Sequence, residues 1–125
     1  MKAISTRQPW AWLIVHGYKD IDNRTWPTKY RGCVFIHASK RKISDTDWNV
    51  ASKIAKANNI PLPERDSPEY KYGGIIGAVN MTGCCESSDS PWFWGPIGFQ
   101  LSNAKEISFI PFKGRLNFFE TNLDL

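Results

Sequence analysis

Between Gly73 and Cys85 the chain is a long apolar run broken by Gly77 and Gly83. Glycine inside a helix costs about 1 kcal/mol relative to alanine, whereas in a strand it marks a bend or a close backbone approach. The run therefore reads as one bent strand wrapping a small barrel. Lys2 to Thr6 and Gly32 to Ala38 (GCVFIHA) supply two more strands, and Lys19 to Thr25 a fourth that Pro27 limits. Shorter strands are expected at Gly98 to Leu101, Glu106 to Ile110 and Leu116 to Glu120. Pro9 suits the first position of a helix through Trp10 to His16, which Gly17 closes as a left-handed cap. A second helix follows Ser44, its expected N-cap. Asp45 and Asp47 stand in its first turn, Trp48, Ala51, Ile54 and Ala55 form its apolar stripe, and Asn58, Asn59 and Pro61 end it. The expected fold class is α+β: a small barrel of mixed or antiparallel strands flanked by two or more helices. The 125 residues fit one domain, 1–125.

No stretch reaches the roughly 20 apolar residues of a membrane helix. The run Trp10 to Val15 is also too short and wrongly flanked for a signal peptide. Cys33, Cys84 and Cys85 form no C-x-x-C pair, and His16 and His37 stand at no zinc-finger spacing. The expectation is a reduced, cytoplasmic protein without metal or cofactor.

The net charge of +4 hides an asymmetry. Residues 1–42 hold nine Lys/Arg against Asp20 and Asp22, a local +7 that leaves −3 for the remainder. Such polarity steers anions toward one part of a surface, and phosphates are the commonest polyanions. A solvated basic face without a partner is the plainer alternative.

Within that basic third, Gly17 to Arg24 packs four charges into six residues. Strand alternation puts Asp20, Asp22 and Arg24 on one face and Ile21 on the other. Lys19 joins the charged face from the turn, and Asp22 holds Lys19 and Arg24 in place as a pocket for phosphate or carbonyl oxygens. A surface ion pair of about 0–1 kcal/mol competes with that reading. Ser5 to Trp10 precedes the first helix, where free N–H groups favour an anion and Arg7 adds charge. Gln8 stands at the cap position although glutamine caps poorly, so either its amide serves a ligand or the boundary lies a residue away. Ser90 to Phe99 carries Trp92, Phe93 and Trp94, faces for stacking a base or plugs for the barrel's end. Trp10 and Trp26 join Trp92 as candidate ligand contacts. His37 is either an acid or base at the rim or a hydrogen-bonded structural residue. Lys40 to Lys42 can track a phosphate backbone or form ordinary surface.

The ordered pieces Arg7-Gln8-Pro9-Trp10-Ala11, Gly17-x-Lys19-x-x-Asp22-x-Arg24, Arg31-Gly32 with His37-Ala38-Ser39, Gly73 to Val79, Ser90-Pro91-Trp92-Phe93 and Lys113-Gly114 resemble an ASCH domain of the PUA-like β-barrel superfamily. Asp22 stands where that family's central motif usually has glutamate. The resemblance implies a cleft between barrel and helices, lined by Lys19, Asp22 and Arg24, with Arg7 and Gln8 nearby. It also implies one of several activities: binding of RNA, cleavage of single-stranded RNA, or removal of an acyl group from a modified cytidine. The last uses a threonine at the position of Asp22, so the hydroxyl nucleophile is missing here. The leading expectation is recognition of single-stranded RNA, a nucleotide or a modified nucleoside. The alternatives are a metal-independent ribonuclease with Asp22 or His37 as base, a hydrolase of a modified, acylated nucleoside using Lys19 and Asp22, and a protein-interaction module docking through the aromatic loop.

Overall fold

In the computed structural model, which describes Met1–Leu125, the elements follow in the order β1 (Lys2–Thr6), α1 (Trp10–Val15), β2 (Ile21–Arg24), β3 (Gly32–Ala38), α2 (Asp45–Ala57), β4 (Gly74–Cys85), β5 (Ile97–Pro111) and β6 (Phe118–Glu120). The six strands form one sheet in the order β2-β5-β4-β3-β1-β6. Only β1 and β3 run parallel; the other neighbours are antiparallel. The result is a mixed sheet curled into a half-barrel and carrying two helices, one of them short.

The curl arises where the glycines stand. Pairing of β4 with β5 shifts register between Ile75 and Gly77, between Ala78 and Asn80, and between Met81 and Gly83, and each such bulge bends and twists the ladder. A β-carbon on Gly77 would lie 2.5 Å from the Lys105 carbonyl oxygen and 2.6 Å from Val15 Cγ1. The missing side chain thus lets β5 and α1 close on the same point of β4. The two short strands expected at Gly98 to Leu101 and Glu106 to Ile110 are instead halves of β5. Asn103, at φ 50°, kinks that strand without ending it, because the ladder to β4 resumes at Lys105.

Every residue of α1 is buried. Ala11, Ile14 and Val15 face Val34, Ile36, Val79, Met81 and Phe99 of the sheet, while Trp10, Trp12 and Leu13 face Ala51 of α2 together with Ile43, Tyr70 and Trp92. This six-residue helix is therefore the wedge between sheet and α2. Gly17 ends it at φ 82°. Ser44 caps α2 as expected, its Oγ accepting from the Asp47 N–H at 3.0 Å.

The two edge strands, β2 and β6, make no ladder with each other. Side chains close the seam between them. Phe99 of β5 stacks on Phe118 of β6 at 6.0 Å, and Trp26 sets its edge against both. On the same seam Arg24 Nη2 donates to the Ser5 carbonyl oxygen at 3.0 Å, just past the β1 residues that β6 pairs.

Candidate functional site

A cleft of about 210 Å³ opens at this seam. Ser5 and Thr6 of β1, Arg7 and Trp10 at the start of α1, and Lys19 beyond its end line it. Asp22, Asn23 and Arg24 of β2, Ser39 after β3, and Trp94 complete the wall.

Lys19 is aimed by the helix end. After Gly17 the N–H groups of Tyr18 and Lys19 both donate to the Leu13 carbonyl at 3.0 Å, which turns the Lys19 side chain inward until it is 4% exposed. Its ammonium donates to the Ile21 carbonyl and lies over the rings of Trp10 and Trp94, 5.7 and 5.3 Å from their centroids. Burial drives its pKa from 10.5 down to about 8, with Asp22 pushing it back up and Arg24 pressing it further down.

Asp22 and Arg24 share a face of β2 and form a two-pronged pair. Nε meets Oδ1 at 3.2 Å and Nη2 meets Oδ2 at 2.9 Å. Asp22 holds Arg24 alone, since Lys19 forms no ion pair with it. Asp20 leaves the charged face; its carboxylate accepts from Ser90 Oγ at 2.6 Å outside the cleft. Arg7 is paired as well, with Asp47 of α2 at 2.9 Å. Burial works to raise the Asp47 pKa, but the Arg7 guanidinium outweighs it and holds the carboxyl below its usual value.

Five expected residues sit elsewhere. Gln8 does not face the cleft. Fully buried, it accepts from the Trp12 N–H at 2.8 Å and donates to the Lys71 carbonyl at 3.0 Å, so its long amide caps α1 from just outside the helix. His37 is 2% exposed, with Nδ1 2.9 Å from Ser5 Oγ and Nε2 2.7 Å from the Phe112 carbonyl; it backs the cleft wall and reaches no ligand position there. Trp92 is 2% exposed within the core between α1 and α2, and the half-exposed Trp94 takes its place at the cleft. Trp26 seals the seam. Lys40 and His37 belong to a neighbouring cavity.

Asn23 is the residue that sequence reasoning passed over, and it decides between the two tryptophans of the aromatic loop. Asn23 donates to the Trp92 carbonyl at 2.9 Å and accepts from the N–H groups of Trp94 and Gly95 at 3.0 and 3.1 Å. It thereby fixes which tryptophan turns in and which turns out. The signal was an uncharged amide between Asp22 and Arg24, the residue type suited to gripping both ends of a turn.

Arginines locked by carboxylates, one buried ammonium and two indoles around the cleft define the class: a barrel-like β domain with a polar, aromatic cleft at its seam. Residues 4–108 match the ASCH domain, so the chain belongs to this PUA-like family, which is associated with RNA binding. Among curated proteins it is similar to activating signal cointegrator 1 of Homo sapiens, 29% identical over 84 residues. It is likewise similar to the protein of that name in Mus musculus, 27% identical over 84 residues. Each match covers 65% of this chain and 14% of the relative, so the chain corresponds to a small part of those proteins. No helix is long and apolar enough to cross a membrane.

Proposed function

We propose that the cleft recognises one nucleotide of single-stranded RNA, or a modified nucleoside, by binding. The observation that carries this reading is the Lys19 ammonium, buried between two indoles with no carboxylate paired to it. A buried charge is costly unless a partner compensates it, and a carbonyl or phosphate oxygen in the cleft is such a partner. The cleft, about 210 Å³, has room for a single base with sugar and phosphate at its open side, and the exposed half of Trp94 offers a stacking face worth about 1–3 kcal/mol per base. Asp22 and Arg24 together present acceptors and donors, the pattern that reads a base edge.

Fluorescence anisotropy with labelled single-stranded RNA tests the reading. Lys19→Ala should weaken binding about tenfold or more, the scale expected for a hydrogen bond to a charged group. Absence of association with RNA and nucleosides at low salt overturns it.

The pKa of about 8 at Lys19 favours a second reading, metal-independent RNA cleavage. A neutral ε-amine would take the ribose 2′-hydroxyl proton, the 2′-oxygen would attack phosphorus, and the P–O5′ bond would break, leaving a 2′,3′-cyclic phosphate and a 5′-oxygen that takes a proton from water, after which the Lys19 ammonium returns its proton to solvent. Both oxygens of Asp22 are occupied by Arg24, which favours Lys19 as the base. Cleavage that persists in EDTA and vanishes in Lys19→Ala supports this reading; intact RNA after prolonged incubation removes it.

A further inference from the structure

A second cavity, about 440 Å³, adjoins the cleft. Ser5 and Ser39 line both, so the two spaces share a wall. Its charged residues are Lys40, Lys113 and Arg115, all exposed, and no carboxylate lines it. None of the three enters an ion pair. This is the reverse of the cleft, whose guanidiniums are already neutralised by Asp22 and Asp47.

The cavity has a built floor. The Phe112 carbonyl and Ser5 Oγ hold the His37 ring from opposite sides. The strand exit from Phe112 to Arg115 then passes directly over it. A β-carbon on Gly114 would stand 2.6 Å from His37 Cε1, so glycine is what lets Lys113 and Arg115 arch over the ring. Lys40 is placed from the other side, its stem lying along the side-chain-free face of Gly73, where a β-carbon would meet Lys40 Cγ at 3.0 Å. Leu116, 90% exposed, stands at the rim.

Three unpaired cations beside a cleft with room for one base suit an anion that is covalently tied to whatever fills the cleft. Phosphate contacts position a strand while base contacts specify it, and here the two sets of side chains are spatially separate. We propose that the second cavity binds the backbone phosphate of the nucleotide next to the one in the cleft. The ligand is then a single-stranded oligonucleotide of at least two residues, not a free nucleoside. This inference rests on the cleft reading above.

The test is anisotropy competition with uridine monophosphate and with oligouridylates of two, four and eight residues. It uses the wild type, Lys113→Ala/Arg115→Ala and Lys19→Ala, at 50 and 200 mM salt. Both loop residues are exposed and outside the cleft, and circular dichroism verifies the fold. The expected result is oligonucleotides binding at least tenfold tighter than the monophosphate. The double variant should erase that gain, leave the monophosphate unchanged and flatten the salt dependence by about two counterions, one per lost phosphate contact. Equal affinity for monophosphate and oligonucleotide, with both lost in Lys19→Ala, overturns the second cavity and leaves the cleft reading standing. Oligonucleotide binding untouched by the double variant has the same meaning. Failure of every ligand at 50 mM salt overturns the cleft reading and this one together. Deoxyuridylate competitors establish whether the 2′-hydroxyl contributes.

Discussion

Cleft and second cavity share a wall and a sign of charge, yet they are built by opposite rules. In the cleft, Arg24 is gripped by Asp22, Arg7 by Asp47, and Lys19 is almost wholly buried. In the cavity, Lys40, Lys113 and Arg115 reach into solvent without carboxylate partners. A guanidinium whose geometry is fixed by a carboxylate contributes little net charge but a rigid pattern of donors. An exposed lysine contributes charge, adaptable and screened by salt, with little geometry. On the proposed reading, the fold separates selecting a partner from attracting one.

The largest test of that division is between two neighbouring tryptophans. Trp92→Ala should cost about 3–5 kcal/mol of stability as a core truncation, read by urea unfolding. Trp94→Ala should leave the midpoint nearly unmoved and weaken RNA binding by about 1–3 kcal/mol. If both act on stability alone, Trp94 has no place in recognition.

Next comes Arg24→Ala, which leaves a nearly buried Asp22 carboxylate unpaired and should destabilise by about 3 kcal/mol. Adding Asp22→Asn should restore part of that loss. A midpoint no lower than that of Lys113→Ala, expected within about 0.5 kcal/mol of wild type, would erase the contrast between the two regions.

Lys19→Met reverses the sign. The lowered pKa at Lys19 corresponds to a burial penalty on the order of 3 kcal/mol for the charged form. The variant should therefore be more stable than wild type, by about 1–3 kcal/mol after its lost hydrogen bond, and defective in binding. A destabilised Lys19→Met would mean the ammonium is a structural strut.

The same group sets the alkaline behaviour. Between about 8 and 10.5 the unfolded chain keeps the Lys19 proton that the folded one has released, so this residue makes stability rise with pH across that window. Binding that uses the ammonium should fall through the same range, and titrating both on one sample checks the opposition. His37 gives the smallest effect. Burial lowers its pKa, with the Phe112 carbonyl pulling the other way. Its contribution to stability is thus complete above 6.5 and declines on acidification, measurable as a shallow loss that His37→Gln removes.

Much of this architecture was legible from residues whose chemistry has one solution. Gly77 and Gly83 marked the bends of β4, Gly17 the end of α1, and Ser44 the start of α2, because each is a local backbone demand. Asp22 and Arg24 met because alternation in a strand is fixed. What escaped depended on distant partners. The caps of Gln8 and the burial of Trp92 require knowing that Lys71 and α2 arrive nearby, and spacing along the chain carries no trace of either. The gap left between Gly98 to Leu101 and Glu106 to Ile110 is likewise bridged only by the partner strand β4, along which the chain kinks at Asn103 and continues as β5.

The seam between β2 and β6 has a consequence for motion. A ladder opens only when many backbone bonds break together, but here the edges are joined by a few side chains and the Arg24 contact to Ser5. Such a closure opens at a free energy below that of global unfolding. Amides flanking the cleft should then exchange with deuterium ahead of those in β3 and β4. A ligand oxygen that competes with the Ser5 carbonyl for Arg24 loosens the closure, whereas one that bridges Arg24 and Lys19 tightens it. The direction of change in amide exchange on binding reports which atoms the ligand has taken hold of, before any complex is crystallised.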